Sequence, residues 1–195
     1  DNLVSFNSSS LILTATRGAT FGSELFNIPS TGSIPTNPGL GVPPATFEGA
    51  PWSFRDLRVF GIGGKFCFVA TGIDQFENTV GTELFSVNND GSELSVLDIV
   101  PGEGGSDPAQ LTISGSPTSG TLFFVATTVN EGPELWSTTT ALDADNTSLV
   151  KDIYSGSDSS NIENLTPIVV LSGTAPSNRV IFTATDGSVT GKELW

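Results

Sequence analysis

The motif Gly-x-Glu-Leu-aromatic organises this chain, because four copies of it divide the sequence into comparable segments. The copies are Gly22-Ser-Glu-Leu-Phe26, Gly81-Thr-Glu-Leu-Phe85, Gly132-Pro-Glu-Leu-Trp136 and Gly191-Lys-Glu-Leu-Trp195. Each copy follows a β-rich run that ends in Ala-Thr, and each of those runs follows a shorter one that begins with leucine. The leading leucines recur at equal intervals, at positions 3, 57, 111 and 165. Such a fixed period is the signature of a repeat architecture.

Each repeat predicts four short β-strands, since the runs are rich in Val, Ile, Thr and Phe and are bounded by Gly, Pro, Asn, Asp and Ser. We place the repeats at 1–56, 57–110, 111–164 and 165–195, within a single domain. The fourth strand is clear at 96–99 and 149–153. It is blurred in the first repeat, where 45–48 is the best candidate, and it is missing from the last. No window has the 3.6-residue apolar period of a helix, so we expect almost no helix.

The second run of each repeat is apolar at consecutive positions, which fits a strand buried on both faces. Four-stranded antiparallel sheets with two apolar faces stack on one another, and radial stacking gives a β-propeller of typically four to eight blades. The expected fold is therefore all-β, a propeller-like array of about four blades. Two arrangements of the repeats fit this pattern: a compact four-bladed ring, or part of a larger ring or array. An unpaired strand edge at Trp195 is a candidate assembly site.

The amino-acid composition limits the binding partners and the location that we expect for this protein. Seven basic residues against twenty-one acidic ones give a net charge of -14, which disfavours nucleic acid and anionic membranes as partners. No apolar run approaches the ~20 residues of a membrane span, so membrane insertion is not expected. A low charged fraction of 14%, with polarity supplied by Ser, Thr, Asn and Gly, is typical of secreted and cell-surface β proteins. We therefore expect an extracellular location.

The ordered motifs also resemble a known family. Glu83-Leu-Phe is followed by an Asp90-Gly91 turn, a Val-x-Asp-Ile strand, the segment Pro101-Gly-Glu-Gly-Gly-Ser106-Asp-Pro108, and Leu111-Thr112. This order is similar to the ELWxxDGT repeat family and covers nearly the whole chain. The resemblance implies a secreted or cell-surface bacterial protein with propeller-like folding and no established catalytic residues. The chain departs from the pattern where phenylalanine replaces tryptophan, at Phe26 and Phe85.

The repeated glutamates are the sharpest polar feature, and they are Glu24, Glu83, Glu134 and Glu193. A ring of four carboxylates lining a channel would bind cations. A carboxylate beside a large aromatic in a packed repeat is better interpreted as a structural acceptor of backbone or hydroxyl hydrogen bonds. We assign the aromatic residues Trp136 and Trp195 to packing between repeats. No histidine is present and no nucleophile is visibly paired with a base, so we do not expect an enzyme.

The loops between repeats are rich in glycine and acidic residues, and Ca²⁺ is their candidate ligand because it takes six to eight oxygen ligands from such flexible loops. The candidate metal residues are Asp98, Glu103, Asp107, Asp152, Asp158 and Glu163. Their spacing matches no fixed calcium motif. Trp52 lies in a loop outside the repeat pattern, which makes it the candidate for an exposed ligand contact.

These observations favour a secreted, non-catalytic repeat protein that serves as a structural or adhesive component of a cell surface, sheath or filament. Its expected partners are further copies of itself, other surface proteins or glycans. The alternative is a carbohydrate-binding, lectin-like propeller module that uses the acidic loops and Trp52. A glycoside hydrolase with two carboxylates is the third hypothesis, since any such pair can meet in the fold, but no pair stands out in the sequence.

Overall fold

A computed structural model describes residues 3–7, 10–16, 23–29, 53–73, 78–88, 93–172 and 175–195, and for the first three of these ranges it describes the backbone alone. These residues form an all-β structure, which confirms the predicted class. The helical content of the described part is a single 3-10 turn at Ala144–Asn146, stabilised by the side chain of Asp143 as its cap. Nothing in the described ranges is a helix long and apolar enough to cross a bilayer.

The described strands form four antiparallel sheets, each a simple meander in chain order. Sheet 1 contains β1 (Leu3–Asn7), β2 (Ser10–Thr16) and β3 (Ser23–Pro29). Sheet 2 contains β4 (Ser53–Val59), β5 (Phe66–Ile73), β6 (Thr79–Val87) and β7 (Ser95–Leu97). Sheet 3 contains β8 (Ala109–Ser114), β9 (Thr121–Thr128), β10 (Gly132–Thr139) and β11 (Thr147–Lys151). Sheet 4 contains β12 (Glu163–Ser172), β13 (Ala175–Thr185) and β14 (Lys192–Leu194).

All four sheets share one register between their second and third strands. The alanine of each Ala-Thr pair lies opposite the motif glutamate, in the pairs Ala15 with Glu24, Ala70 with Glu83, Ala126 with Glu134, and Ala184 with Glu193. Each Glu-Leu pair therefore lies in the third strand of its sheet, and in sheet 4 the aromatic residue, Trp195, comes directly after that strand. Sheets 2 and 3 also have their fourth strand near the predicted position, whereas the candidate at 45–48 lies outside the described residues.

The sheets stack in chain order, with the first strands of successive sheets adjacent: β1 beside β4, β4 beside β8, and β8 beside β12. The core between sheets 2 and 3, here the 2–3 core, contains Cys67, Val69 and Leu84 from one side and Leu122 and Phe124 from the other. The core between sheets 3 and 4, here the 3–4 core, has members that include Phe123, Leu135, Ile153, Phe182 and Ala184. Sheet 2 buries its opposite face as well, through residues that include Phe66, Phe68 and Phe85.

The first strands of sheets 2, 3 and 4 begin before their leading leucines, and each has an irregularity in its pairing at the leucine. The residue before the leucine has a positive φ in each case: Asp56 (56°), Gln110 (57°) and Asn164 (60°). Asn and Asp tolerate this left-handed region better than most residues, and one such residue in an antiparallel strand makes a bulge. The bulge bends the strand and places the leucine after it in position to enter the core.

Candidate functional site

The carboxylate of Glu83 is the centre of the best-defined polar site. Glu83 lies in β6 and is fully buried, with an exposed fraction of 0%. Its Oε1 accepts hydrogen bonds from the backbone N–H of Val100 at 3.2 Å and of Ser106 at 2.9 Å. Its Oε2 accepts a hydrogen bond from the hydroxyl of Ser106 at 2.5 Å. Three donors from the loop that leaves sheet 2 thus converge on one buried carboxylate, which is how a buried charge is compensated.

Glu134 makes the corresponding arrangement in sheet 3 and is also fully buried. The backbone N–H of Tyr154 donates to its Oε1 at 3.1 Å, and that of Ile153 donates to its Oε2 at 3.2 Å. Ser160, which occupies in its repeat the position of Ser106, donates its hydroxyl to the carbonyl oxygen of Pro133 at 3.2 Å. The carboxylate again fixes the loop that leaves its own sheet, although here the serine hydroxyl binds the backbone beside the glutamate.

The two serines connect this loop to the next sheet. The carbonyl oxygen of Ser106 accepts a hydrogen bond from the N–H of Thr127 in β9 at 2.7 Å. The carbonyl oxygen of Ser160 accepts one from the N–H of Thr185 in β13 at 2.8 Å. We call the first assembly, Glu83 with Val100, Ser106 and Thr127, the Glu83 joint. The second, Glu134 with Ile153, Tyr154, Ser160 and Thr185, is the Glu134 joint. Each joint ties one sheet to the next through a buried carboxylate.

The geometry of these joints explains why the motif begins with glycine. A Cβ atom added to Gly81 would overlap the carbonyl oxygen of Gly104 in the loop, and Gly81 itself donates its N–H to that oxygen at 3.2 Å. A Cβ atom added to Gly132 would lie 2.5 Å from the carbonyl oxygen of Asp158. The loop therefore approaches the third strand so closely that only glycine fits opposite it.

Burial controls the electrostatics of both carboxylates. Removal from water raises the pKa of Glu83 above its ordinary value, although the hydrogen bonds from Ser106 and Val100 act in the opposite direction. Removal from water likewise raises the pKa of Glu134, and the negative charge of Asp152 adds to the increase. Both groups are also enclosed, so neither carboxylate can reach a substrate in solution.

The motif glutamate of sheet 4, Glu193, differs from this pair. Glu193 lies in the same register of β14 but is exposed, and none of the described residues folds over it as the loop folds over Glu83. The internal acceptor role expected at all four positions thus describes Glu83 and Glu134 and does not describe Glu193. The side chain of Glu24 lies outside the described residues.

The six candidate metal ligands are dispersed, and two of them are engaged in ion pairs. The carboxylate of Asp107 pairs with Arg55, and that of Glu163 pairs with Lys192 at 2.7 Å. Glu103 and Asp158 are exposed. Asp98 and Asp152, which occupy equivalent positions in successive repeats, each have a buried Oδ1 atom with no hydrogen-bond partner. In the part of the chain that the structure describes, no three Asp, Glu or Cys side chains form a group suited to a metal ion.

The aromatic residues of the motif pack between sheets. Trp136 packs against the 2–3 core and Trp195 against the 3–4 core. The ammonium of Lys151 lies 4.3 Å from the centre of the Trp195 ring. A cavity of about 280 Å³ adjoins this ring, and its walls include Phe123, Leu135, Ile153, Val180 and Phe182. The exposed surface of the walls is mainly apolar, and Lys151, Asn178 and Arg179 supply polar groups to the lining. Trp52, the predicted ligand contact, lies outside the described residues.

The single thiol offers no chemistry. Cys67 is fully buried in the 2–3 core, and burial raises the pKa of its thiol to about 12. A thiol that stays protonated at neutral pH is a poor nucleophile and a poor metal ligand.

Sequence reasoning identified the glutamates but missed Ser106 and Ser160, the residues that make the joints. The available signal was their recurrence at one position of successive repeats, inside the acidic loops that were interpreted as metal-binding. Comparisons of this chain with family models, with curated proteins and with solved structures found no match.

Proposed function

We propose that this protein is a secreted, non-catalytic structural component of a cell surface, sheath or filament. The observation that carries the proposal is the use made of the repeated carboxylate. At Glu83 and Glu134, the most prominent polar group of the repeat is buried and bonded to the loop that leads to the next sheet. The repeated carboxylate therefore serves to join one sheet to the next at these two positions.

A propeller-like arrangement is part of the proposal. The first strands of successive sheets lie side by side, as the innermost strands of propeller blades do around their axis. The order of motifs, from Glu-Leu-aromatic to Pro-Gly-x-x-x-Ser, supports membership of the ELWxxDGT repeat family. Secretion is supported by the acidic composition, with its net charge of -14, and by the Ser, Thr and Asn content.

Ca²⁺ enters the proposal as an ion that increases assembly by binding the acidic loops. The buried Oδ1 atoms of Asp98 and Asp152 are the oxygens that lack a hydrogen-bond partner there. A bound cation would also reduce the repulsion between copies that carry a net charge of -14.

The test is the state of the purified protein in solution. We expect light scattering to detect particles larger than one chain at high protein concentration, with a larger fraction after addition of Ca²⁺. Electron microscopy of the same sample should resolve rings, arrays or filaments. Protein that remains monomeric with and without Ca²⁺ would contradict the proposal. Hydrolysis of model glycosides would also contradict the proposal. So would binding to a glycan array that is lost in the Trp52→Ala variant.

A further inference from the structure

The cavity between sheets 3 and 4 has the form of a small binding site. Its volume is about 280 Å³, and its apolar walls include Phe123, Leu135, Ile153, Val180 and Phe182. Sites for small molecules are typically built in this way, with apolar walls and a few polar groups that fix the orientation of the ligand. The volume is at the small end of that class, so the cavity fits a molecule the size of one aromatic ring or a short alkyl chain.

The polar side chains that line this cavity are positively charged or neutral. Lys151, Asn178 and Arg179 belong to the lining, and none of the described Asp or Glu side chains does. Lys151 and Arg179 are both exposed, which places them where the cavity opens to solvent. The ammonium of Lys151 is held there, 4.3 Å from the centre of the Trp195 ring. The lining therefore combines apolar walls with two cationic side chains.

These two cationic side chains differ from the other basic residues that the structure describes. Arg58 donates hydrogen bonds to backbone carbonyl oxygens. The remaining ones form ion pairs, and they are Arg55, Lys65 and Lys192. Among the described residues, neither kind of partner is found for the side chains of Lys151 and Arg179. Twenty-one acidic residues face seven basic ones in this chain, so two cations without such a partner at one cavity indicate a site that favours negative charge.

Asp186 is the acidic residue whose titration responds to Lys151. Hydrogen bonds from Ser188 lower the pKa of this carboxyl, and the positive charge of Lys151 lowers it further. Asp186 is exposed and does not line the cavity. Attraction between two exposed charges is weakened by water and salt, so Asp186 leaves most of the charge of Lys151 available to a ligand.

We propose that this cavity binds a small organic anion, a carboxylate attached to an apolar body. The apolar body lies between the walls formed by Phe123, Val180 and Phe182, and Lys151 and Arg179 hold the carboxylate. Hydrogen bonds between ionised partners are stronger than neutral ones, and an arginine can donate two in parallel to one carboxylate. The inference goes beyond the proposed structural function, because the cavity is separate from the Glu83 and Glu134 joints.

Isothermal titration calorimetry with phenylacetate and with its uncharged analogue phenylacetamide tests the proposal. Phenylacetate should bind the unmodified protein, and phenylacetamide should bind about tenfold more weakly, because it lacks the ionised acceptor. The double variant Lys151→Gln with Arg179→Gln should weaken the binding of phenylacetate by a similar factor. It should leave the binding of phenylacetamide unchanged, so the two compounds become equivalent.

Lys65→Gln is the matched control, since it removes one positive charge in the turn before β5 and Lys65 does not line the cavity. Its affinity for phenylacetate should equal that of the unmodified protein. Lys151 and Arg179 are exposed, so their variants should fold, and circular dichroism verifies this. Protein that binds neither compound, or binds both equally, overturns the inference. A folded double variant that binds phenylacetate as tightly as Lys65→Gln also overturns it. Calorimetry on dilute protein leaves the assembly test of the proposed function as a separate result.

Discussion

The third strands of sheets 2 and 4 have the same motif and opposite environments. In β6, Glu83 is fully buried within its joint and Leu84 is buried in the 2–3 core. In β14, Glu193 and Leu194 are both exposed, although the register of the strand is the same. In sheet 2 the loop after the sheet covers the glutamate and sheet 3 covers the leucine, whereas no described residue covers the equivalent pair in sheet 4.

The comparison teaches that the motif does not determine its own burial. Its aromatic residue is packed in both cases: Phe85 lies in the buried face of sheet 2 opposite the 2–3 core, and Trp195 packs against the 3–4 core. Its glutamate and its leucine depend on segments that come later in the chain. The same five-residue motif is thus part of a completed joint in sheet 2 and exposed at its glutamate and leucine in sheet 4, so substitutions at these equivalent positions should have very different effects.

The largest difference is expected at the glutamates. Glu83→Ala would leave two backbone N–H groups and the Ser106 hydroxyl buried without an acceptor, and should lower the free energy of unfolding by about 3–5 kcal/mol. Glu193→Ala should change it by less than about 0.5 kcal/mol, since the side chain is exposed. Urea unfolding followed by tryptophan fluorescence measures both. If the free energy of unfolding falls as little in Glu83→Ala as in Glu193→Ala, the Glu83 joint does not stabilise the fold.

The second-largest difference in unfolding free energy is expected between the motif leucines of the two sheets. Leu84→Ala removes a side chain that is 1% exposed in the 2–3 core and should cost about 3 kcal/mol in unfolding free energy. Leu194→Ala should cost less than about 0.5 kcal/mol when measured on dilute, monomeric protein. The same urea experiment applies, and a large loss at Leu194 under these conditions would place that side chain in a core.

The motif glycines should differ less in their effect on stability, because alanine at either position is expected to destabilise the fold. Gly81→Ala introduces an overlap with the backbone of Gly104 and should destabilise by about 2–3 kcal/mol. Gly191 has a φ of +84° and open space around it, so Gly191→Ala should cost about 1–2 kcal/mol through backbone strain alone. Thermal unfolding of the two variants side by side tests the order. Equal losses would mean that the loop moves away from Gly81 without penalty.

The smallest expected effect is the pH dependence of stability. Because the pKa values of Glu83 and Glu134 are raised in the folded state, that state binds protons more readily than the unfolded chain. Acidification from neutral pH through these raised pKa values toward the ordinary glutamate pKa of 4.5 should therefore increase the free energy of unfolding contributed by these groups. The double variant Glu83→Gln with Glu134→Gln should show a flatter dependence in urea unfolding at several pH values. An unchanged slope would assign the pH dependence to other groups.

Much of the fold was predictable, because it depends on local pattern. The spacing of the Ala-Thr and Glu-Leu-aromatic segments predicted four repeats of short antiparallel strands, and the structure gives those segments one common register. The bulges at Asp56, Gln110 and Asn164 were not predicted, since a left-handed residue inside a strand leaves little mark on hydrophobic periodicity. The acceptor role of Glu83 was inferred from the aromatic two positions later in the strand. The donors could not be found in this way, because Ser106 lies 23 positions after Glu83, in a loop whose path depends on the complete fold.

The joint has a consequence for how chains of this kind change in length. The Glu83 joint draws its acceptor from one sheet, its donors from the loop after that sheet, and its last partner, Thr127, from the next sheet. Tandem duplication of one repeat unit therefore copies every part of a joint at once and inserts it between two existing ones. No compensating substitution is needed elsewhere, so unequal recombination within such a gene can lengthen or shorten the product in whole units while every internal carboxylate keeps its donors.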